Sequence, residues 1–181
     1  MPVESEQTVR KRILDATFEV IARCGRRKLQ LLDVAATAGV SRPTVYRYFG
    51  SKDGLLDAFA LYEQDNFAAG IAAATAGLRG ADRVDAMLEF IVDYQFSHSL
   101  ATLVELEPEY SIAQMVRVLP MMEEGMLRVM SGDSAEVAAA AVVRIAVCHY
   151  LVGGGDRAGF LAELRHAAGI EPRRRRRSTG R

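Results

Sequence analysis

Residues Ala38 to Leu56 read AGVSRPTVYRYFGSKDGLL, and the fold class follows from this run. Gly39 offers a turn, Ser41 is placed to cap a short helix, and Val45 and Phe49 stand one helical turn apart. With Val45 set at 0° and ~100° per residue, Phe49 lies at about 40°, Pro43 at about 160° and Arg47 at about 200°. Val45 and Phe49 therefore form an inner apolar stripe, and Pro43 and Arg47 point away from it. Thr44 and Tyr46 flank the outer face, Tyr48 sits at the side, and Lys52 follows at the start of the next helix. A helix that enters the major groove of DNA needs this division: an apolar inner stripe, an outer face of donors and flat rings, and a cation at its edge.

Each outer residue has a chemistry suited to that groove. Arg47 can pair bidentately with guanine O6 and N7, and Pro43 and the Thr44 methyl can touch a thymine methyl. Arg42, in the first turn, can reach a base edge or a phosphate. The Tyr48 phenol can reach a phosphate. Lys52 can share one phosphate with the free backbone N–H groups that open the fourth helix.

Outward from this run the pattern is helical throughout, with no alternating strand and no internal repeat. Val9–Cys24 carries a helical period closed by Gly25, and Gln30–Ala38 forms a short second helix ended by Gly39. Ser51 caps a long fourth helix that reaches about Gly77. Asp82–Ser97 is amphipathic, and Leu100–Glu107 reads as a short turn of helix. Pro108 opens a helix to about Met130, bent or broken at Pro120. Ala135–Val152 is apolar nearly all round, and Asp156 caps a last helix to about Ala168. The domain boundaries expected are 1–52, a helix-turn-helix head; 53–171, a helical body; and 172–181, a tail with five arginines at Arg173–Arg177 that is too charged to pack.

The chain of 181 residues carries no net charge, but the charge is segregated. Residues 1–52 sum to +5, residues 53–171 to −11 and residues 172–181 to +6. A basic head on an acidic body suits a head that meets phosphates. No apolar run reaches the ~20 residues of a bilayer span, and the charged N-terminus is unlike a signal peptide, so a cytoplasmic protein without a membrane partner is expected. Cys24 and Cys148 read as two reduced thiols in preference to a disulfide. The tail either reaches DNA phosphates beyond the site or stays solvated.

SRPTVYRYFGSKDGLL resembles the recognition-helix signature of the TetR family of bacterial transcription regulators, and LLDVAATAGV before it resembles the same family's second helix and turn. The likeness covers about residues 10–60. It implies an all-α protein: a three-helix helix-turn-helix DNA-binding domain followed by a helical ligand-binding and dimerisation domain. It further implies a homodimer, a palindromic double-stranded DNA operator and a small-molecule effector that releases DNA. By the resemblance, Pro43, Thr44 and Tyr46 touch bases and Tyr46, Tyr48 and Lys52 hold phosphates, with Ser41 and Arg42 at the helix start. Members usually place Thr or Ser where this chain has Leu29 and Gln30. Gln30 is a poor cap, costing about 1 kcal/mol, but its amide can still reach a phosphate. Arg26, Arg27 and Lys28 beside it either supply the lost grip or form a solvated loop.

For a sensor body the expected lining is Phe67, Met87, Phe90, Tyr94, His98, Met115, Met122, Met126 and His149, since thioethers and flat rings conform to varied apolar ligands; plain core is the competing assignment for each. Few cations lie in this region, which favours a neutral or apolar ligand. Val142, Ile145, Phe160 and Leu164 are the expected dimer-interface residues, on two helices that can form a four-helix contact. Arg144 needs a partner from another helix. Glu105, Glu107 and Glu109 match no metal-ligand spacing and read as a solvated acidic face. Cys148 and His149 lie 100° apart on one helix and do not face each other, so no catalytic pair is expected, and no metal or cofactor. The alternatives to a ligand-released repressor are a ligand-independent regulator or activator of the same fold and, more remotely, an enzyme with a vestigial DNA-binding head.

Overall fold

The computed structural model describes residues 5–97 and 104–170. Among the described residues there are eight helices of two turns or more and no strand: α1 (Glu6–Lys28), α2 (Leu31–Ala38), α3 (Arg42–Phe49), α4 (Lys52–Ala74), α5 (Gly80–Ser97), α6 (Pro108–Leu127), α7 (Ala135–Val152) and α8 (Arg157–Ala167). The chain divides into two compact units, one of residues 5–72 with 104–112 and the other of 73–97 with 113–170. The first unit thus runs past residue 52, where the sequence placed the head's end, and takes in the start of α6. His98 and the arginine tail lie outside the described residues.

The first unit is built on the apolar stripes of α1 to α4. Ile13, Leu14, Val20, Leu29, Val34, Val45 and Leu55 lose all solvent contact in one cluster. Burying each such side chain contributes about 1.5–3 kcal/mol before entropy is charged against it. α1 packs on α2 and α2 on α3. Polar and aromatic ties join α4 to α1, among them the Tyr62 hydroxyl donating to Asp15 at 2.6 Å and the Phe18 and Phe59 rings meeting at 6.4 Å.

The N-termini follow from their caps. Ser5 accepts from Thr8 N–H, Ser41 from Thr44 N–H at 3.2 Å, and Ser51 from Gly54 N–H at 3.0 Å. Gln30, as its residue type predicts, makes no such bond. Gly25 does not end α1. It bends the helix at φ 78° and ψ 165°, and one further turn, Arg26–Lys28, follows. Those three basic residues are therefore helical, not the loop that the sequence allowed. Pro120 leaves α6 as one element. The carbonyl that its missing N–H would have bonded belongs to exposed Val116, where water can satisfy it.

In the second unit α8 packs on α5 and α7. Phe160, Leu164, Leu88, Val92 and Val142 are fully buried there. Arg165 clamps Asp85 with two hydrogen bonds, 2.6 and 2.9 Å, and reaches Glu89 at 2.8 Å. The Asp85 bond is the main cause of a guanidinium pKa raised above its ordinary value. Asp156 caps α8 through Gly159 N–H at 2.7 Å.

Three of the four expected interface residues are corrected by this packing. Val142, Phe160 and Leu164 fill the chain's own core and cannot face a second copy without unfolding the unit; Ile145 is half-buried. The apolar side chains that α7 does expose are Val137 and Val152, at 74% and 79%. α7 is long and apolar enough to cross a membrane by length and composition. One face of it packs within the unit: Ala139, Val142, Val143 and Ala146 are buried, Gln95 donates to the Ala146 carbonyl at 3.1 Å, and Arg144 finds its partner in Glu123 at 3.3 Å.

Candidate nucleic-acid interface

α3 turns Val45 wholly inward, at 0% exposure, and packs half-buried Phe49 and Tyr48 against the same cluster. Arg10 lies over the Phe49 ring at 5.5 Å. Ser41, Arg42, Pro43, Tyr46 and Arg47 are exposed, and Thr44 is half-buried. The outer face therefore carries two guanidinium groups, a proline ring, a phenol and a hydroxyl in two helical turns.

The rings and cations on this face are already paired. Arg42 donates to the Tyr46 hydroxyl at 3.2 Å, with its guanidinium 5.3 Å from the ring centroid. Arg47 lies over Tyr48 at 5.2 Å. Such contacts cost each side chain part of its rotamer freedom before any partner arrives, so less is lost on binding.

Gln30, Asp33, Arg42, Tyr46, Ser51 and Lys52 line a concavity of about 390 Å³ between the starts of α2 and α4 and the outer side of α3. Six of the nine residues expected at DNA (Gln30, Ser41, Arg42, Pro43, Tyr46 and Arg47) are exposed on this side. Tyr48 and Lys52 are half-buried beside it. The Lys52 ammonium donates to the Arg27 carbonyl at 2.9 Å, a tie to α1 that no local sequence pattern signals. Gly54 keeps α4 close to α3, because a Cβ there would run into the Phe49 carbonyl oxygen.

A second concavity, about 570 Å³, lies behind Lys52 and is lined by Arg26, Arg27, Leu56 and residues 106–110. It holds a residue that sequence reasoning misplaced. Glu107 is not part of a solvated acidic face: it is 8% exposed and accepts from the Arg27 N–H at 2.7 Å, while Glu105 and Glu109 are exposed as expected. Beside it the Arg26 guanidinium stacks 3.8 Å over the Tyr110 ring.

The expected effector-lining residues divide between the units. Phe67 belongs to the first and Met87, Phe90, Tyr94, Met115, Met122, Met126 and His149 to the second. Met87 and Met126 are buried and the others half-buried. The Phe90 and Tyr94 rings meet at 6.0 Å. His149 is stacked 3.8 Å from Phe160 and 5.5 Å from Phe96, with Nδ1 3.2 Å from Gln95 Oε1 and a buried Nε2 that makes no hydrogen bond. Neither concavity described above is lined by any of these residues. Among the described residues no group of three metal-ligating side chains comes together. Cys24 and Cys148 are free thiols.

The three-helix head, with a short capped helix presenting cations and rings beside a basic concavity, defines a helix-turn-helix module of an all-α protein. Residues 13–59 match the profile described as bacterial regulatory proteins, tetR family. That match covers the head alone and makes it similar to the TetR-family DNA-binding domain. Over 53 residues it is 45% identical to the HTH-type transcriptional repressor KstR of Mycolicibacterium smegmatis, covering 29% of this chain and 26% of the relative. The match to the fatty acid metabolism regulator protein of Bacillus subtilis is longer: 26% identity over 125 residues, 66% of this chain and 63% of the relative. The chain thus spans about a quarter of the length of the first of these relatives and under two thirds of the second. A TetR-like regulator from Rhodococcus sp. RHA1 superposes with a TM-score of 0.66 over 92% of this chain and 97% of that one, at 21% identity. A TetR-family regulator from Streptomyces coelicolor gives 0.67 over 89% and 94%, at 22% identity. At such identities the two structures carry the fold alone.

Proposed function

We propose that this protein is a cytoplasmic transcription repressor that binds a palindromic double-stranded DNA operator as a homodimer and is released by a small neutral or apolar molecule. The observation that carries the DNA reading is the outer face of α3: Arg42, Pro43, Tyr46 and Arg47 exposed over a fully buried Val45, beside a concavity that gathers Gln30, Arg42 and Lys52. Pro43, Thr44 and Arg47 read base edges. Gln30, Ser41, Tyr46, Tyr48 and Lys52 fix register on phosphates, and Arg42 serves either. Two recognition helices in successive major grooves stand about 34–36 Å apart.

The effector site is placed in the second unit. The unpartnered His149 Nε2 supplies one polar anchor, between the Phe160 and Phe96 rings, and the methionines, Phe90 and Tyr94 of the same unit are the candidate apolar walls. An apolar ligand is in keeping with the relative named for fatty acid metabolism. The dimer face is assigned to one side of α7, where exposed Val137, Arg144, Cys148 and Val152 line up with half-buried Ala141. Effector binding shifts the equilibrium between two head separations, with a coupling of ~1–3 kcal/mol.

A gel-shift titration at moderate salt tests the reading, using the DNA upstream of the protein's own gene against unrelated competitor DNA. Retention of that fragment by a dimer supports it, and the absence of any sequence-specific complex refutes it. Adding a panel of metabolites that includes fatty acids to the formed complex then tests the release step.

A further inference from the structure

Arg27 is held at both ends of its backbone. Its N–H donates to Glu107 at 2.7 Å and its carbonyl accepts from the Lys52 ammonium at 2.9 Å. Gly25 makes room for this: a Cβ there would lie 2.8 Å from Glu107 Oε1, in a backbone region at φ 78° that side chains rarely adopt. Arg26 adds the stack on Tyr110, three residues beyond Glu107. The segment around Glu107 is thereby joined to Lys52 through one residue. Lys52 lines both concavities, the one behind it with residues 106–110 and the one in front with Gln30, Arg42 and Tyr46.

We infer that Glu107 is a positioning residue for DNA binding, acting through Arg27 on Lys52. The ammonium has three donors, and the Arg27 carbonyl uses one of them, which leaves two directed groups for a phosphate oxygen. A buried carboxylate bonded to a backbone N–H fixes the last turn of α1, and so fixes where that carbonyl points. When Glu107 withdraws, the turn past the Gly25 bend loses its tie, and Lys52 loses the support that aims it. This rests on the DNA-binding reading above.

The test is a double-mutant cycle read by fluorescence anisotropy on a labelled duplex of the retained upstream fragment, with the full-length chain. E107A is expected to weaken binding about fivefold or more in the native background and less than about twofold in K52M. E107Q, whose amide oxygen can still accept from Arg27 N–H, is expected to bind within about twofold of native. Should E107A fail to fold, E107D draws the carboxylate back by one methylene and carries the same cycle. Equal losses in both backgrounds would show that Glu107 acts on the fold at large and overturn the inference, as would native affinity in E107A. If the native chain itself retains no specific duplex, it is the DNA-binding reading that fails.

Discussion

Replacing Tyr46 by Ala separates DNA contact from packing more sharply than any other change in the head. Tyr46 is 41% exposed, and its hydroxyl and ring both meet Arg42 on the same outer face. Little of the fold depends on it. An exposed substitution of this kind stays within about 0.5 kcal/mol, and Ala offsets part of that with a helix propensity better than that of Tyr. For a chain of this length the melting temperature should move by about 1–2 °C. Binding should suffer far more. A hydrogen bond from a phenol to a phosphate is a bond to a charged group, worth about 1.5 kcal/mol at the low end. Freed from the ring, Arg42 also regains rotamer entropy that must be lost again on DNA. Two heads per dimer double the loss to about 3 kcal/mol, or roughly 150-fold in affinity. Anisotropy titration of a labelled operator and calorimetric melting of the same preparations measure the two quantities. An affinity within twofold of native would refute the assignment of Tyr46 to the DNA face. A melting temperature lowered by more than ~5 °C would show instead that the side chain belongs to the core.

Val45→Ala is the converse change: with the side chain fully buried, the loss of two methyl groups should cost about 2 kcal/mol of stability, seen as a lower denaturant midpoint at unchanged slope. Gln30→Thr should supply the missing side-chain cap of α2 and raise the melting temperature by about 2–4 °C, a gain of ~1 kcal/mol that calorimetry resolves. Phe160→Ala should cost about 3–5 kcal/mol and melt the second unit early, because the ring is buried and stacked on His149. Val137→Lys together with Val152→Lys should leave the circular dichroism melt near native yet shift the species seen by sedimentation to a monomer; a persistent dimer would move the interface off α7.

What could be read from the sequence was what a single helix specifies locally. The period of α3, the Ser41 and Asp156 caps and the limits of α7 all follow from neighbours within four residues, and each appears where the pattern placed it. Phe160, Leu164 and Val142 were misassigned for the complementary reason. Periodicity says that a face is apolar but not whether its cover is another helix of the same chain or a second copy, and here α5, α7 and α8 cover one another. Gly25 likewise carried the mark of a helix end, while the chain used its positive φ for a bend.

Glu107 marks the limit more clearly, because its neighbours in sequence pointed the wrong way. Glu105 and Glu109 make the stretch look like a water-facing acidic surface, and both are indeed exposed. What buries Glu107 is a backbone N–H 80 residues away and a glycine that leaves space for its oxygen. Neither partner is a charged side chain, so no charge pattern records the contact. A carboxylate removed from water has to be compensated where it lies, and a backbone donor past a helix bend does this without any signature in the side-chain sequence. The features that would read DNA and those that would position the readers are thus written differently. The first are exposed residue types at helical spacing, legible in Ser41 to Lys52. The second are long-range bonds to backbone, and at Arg27 one such pair joins Glu107 to the cation beside the recognition helix.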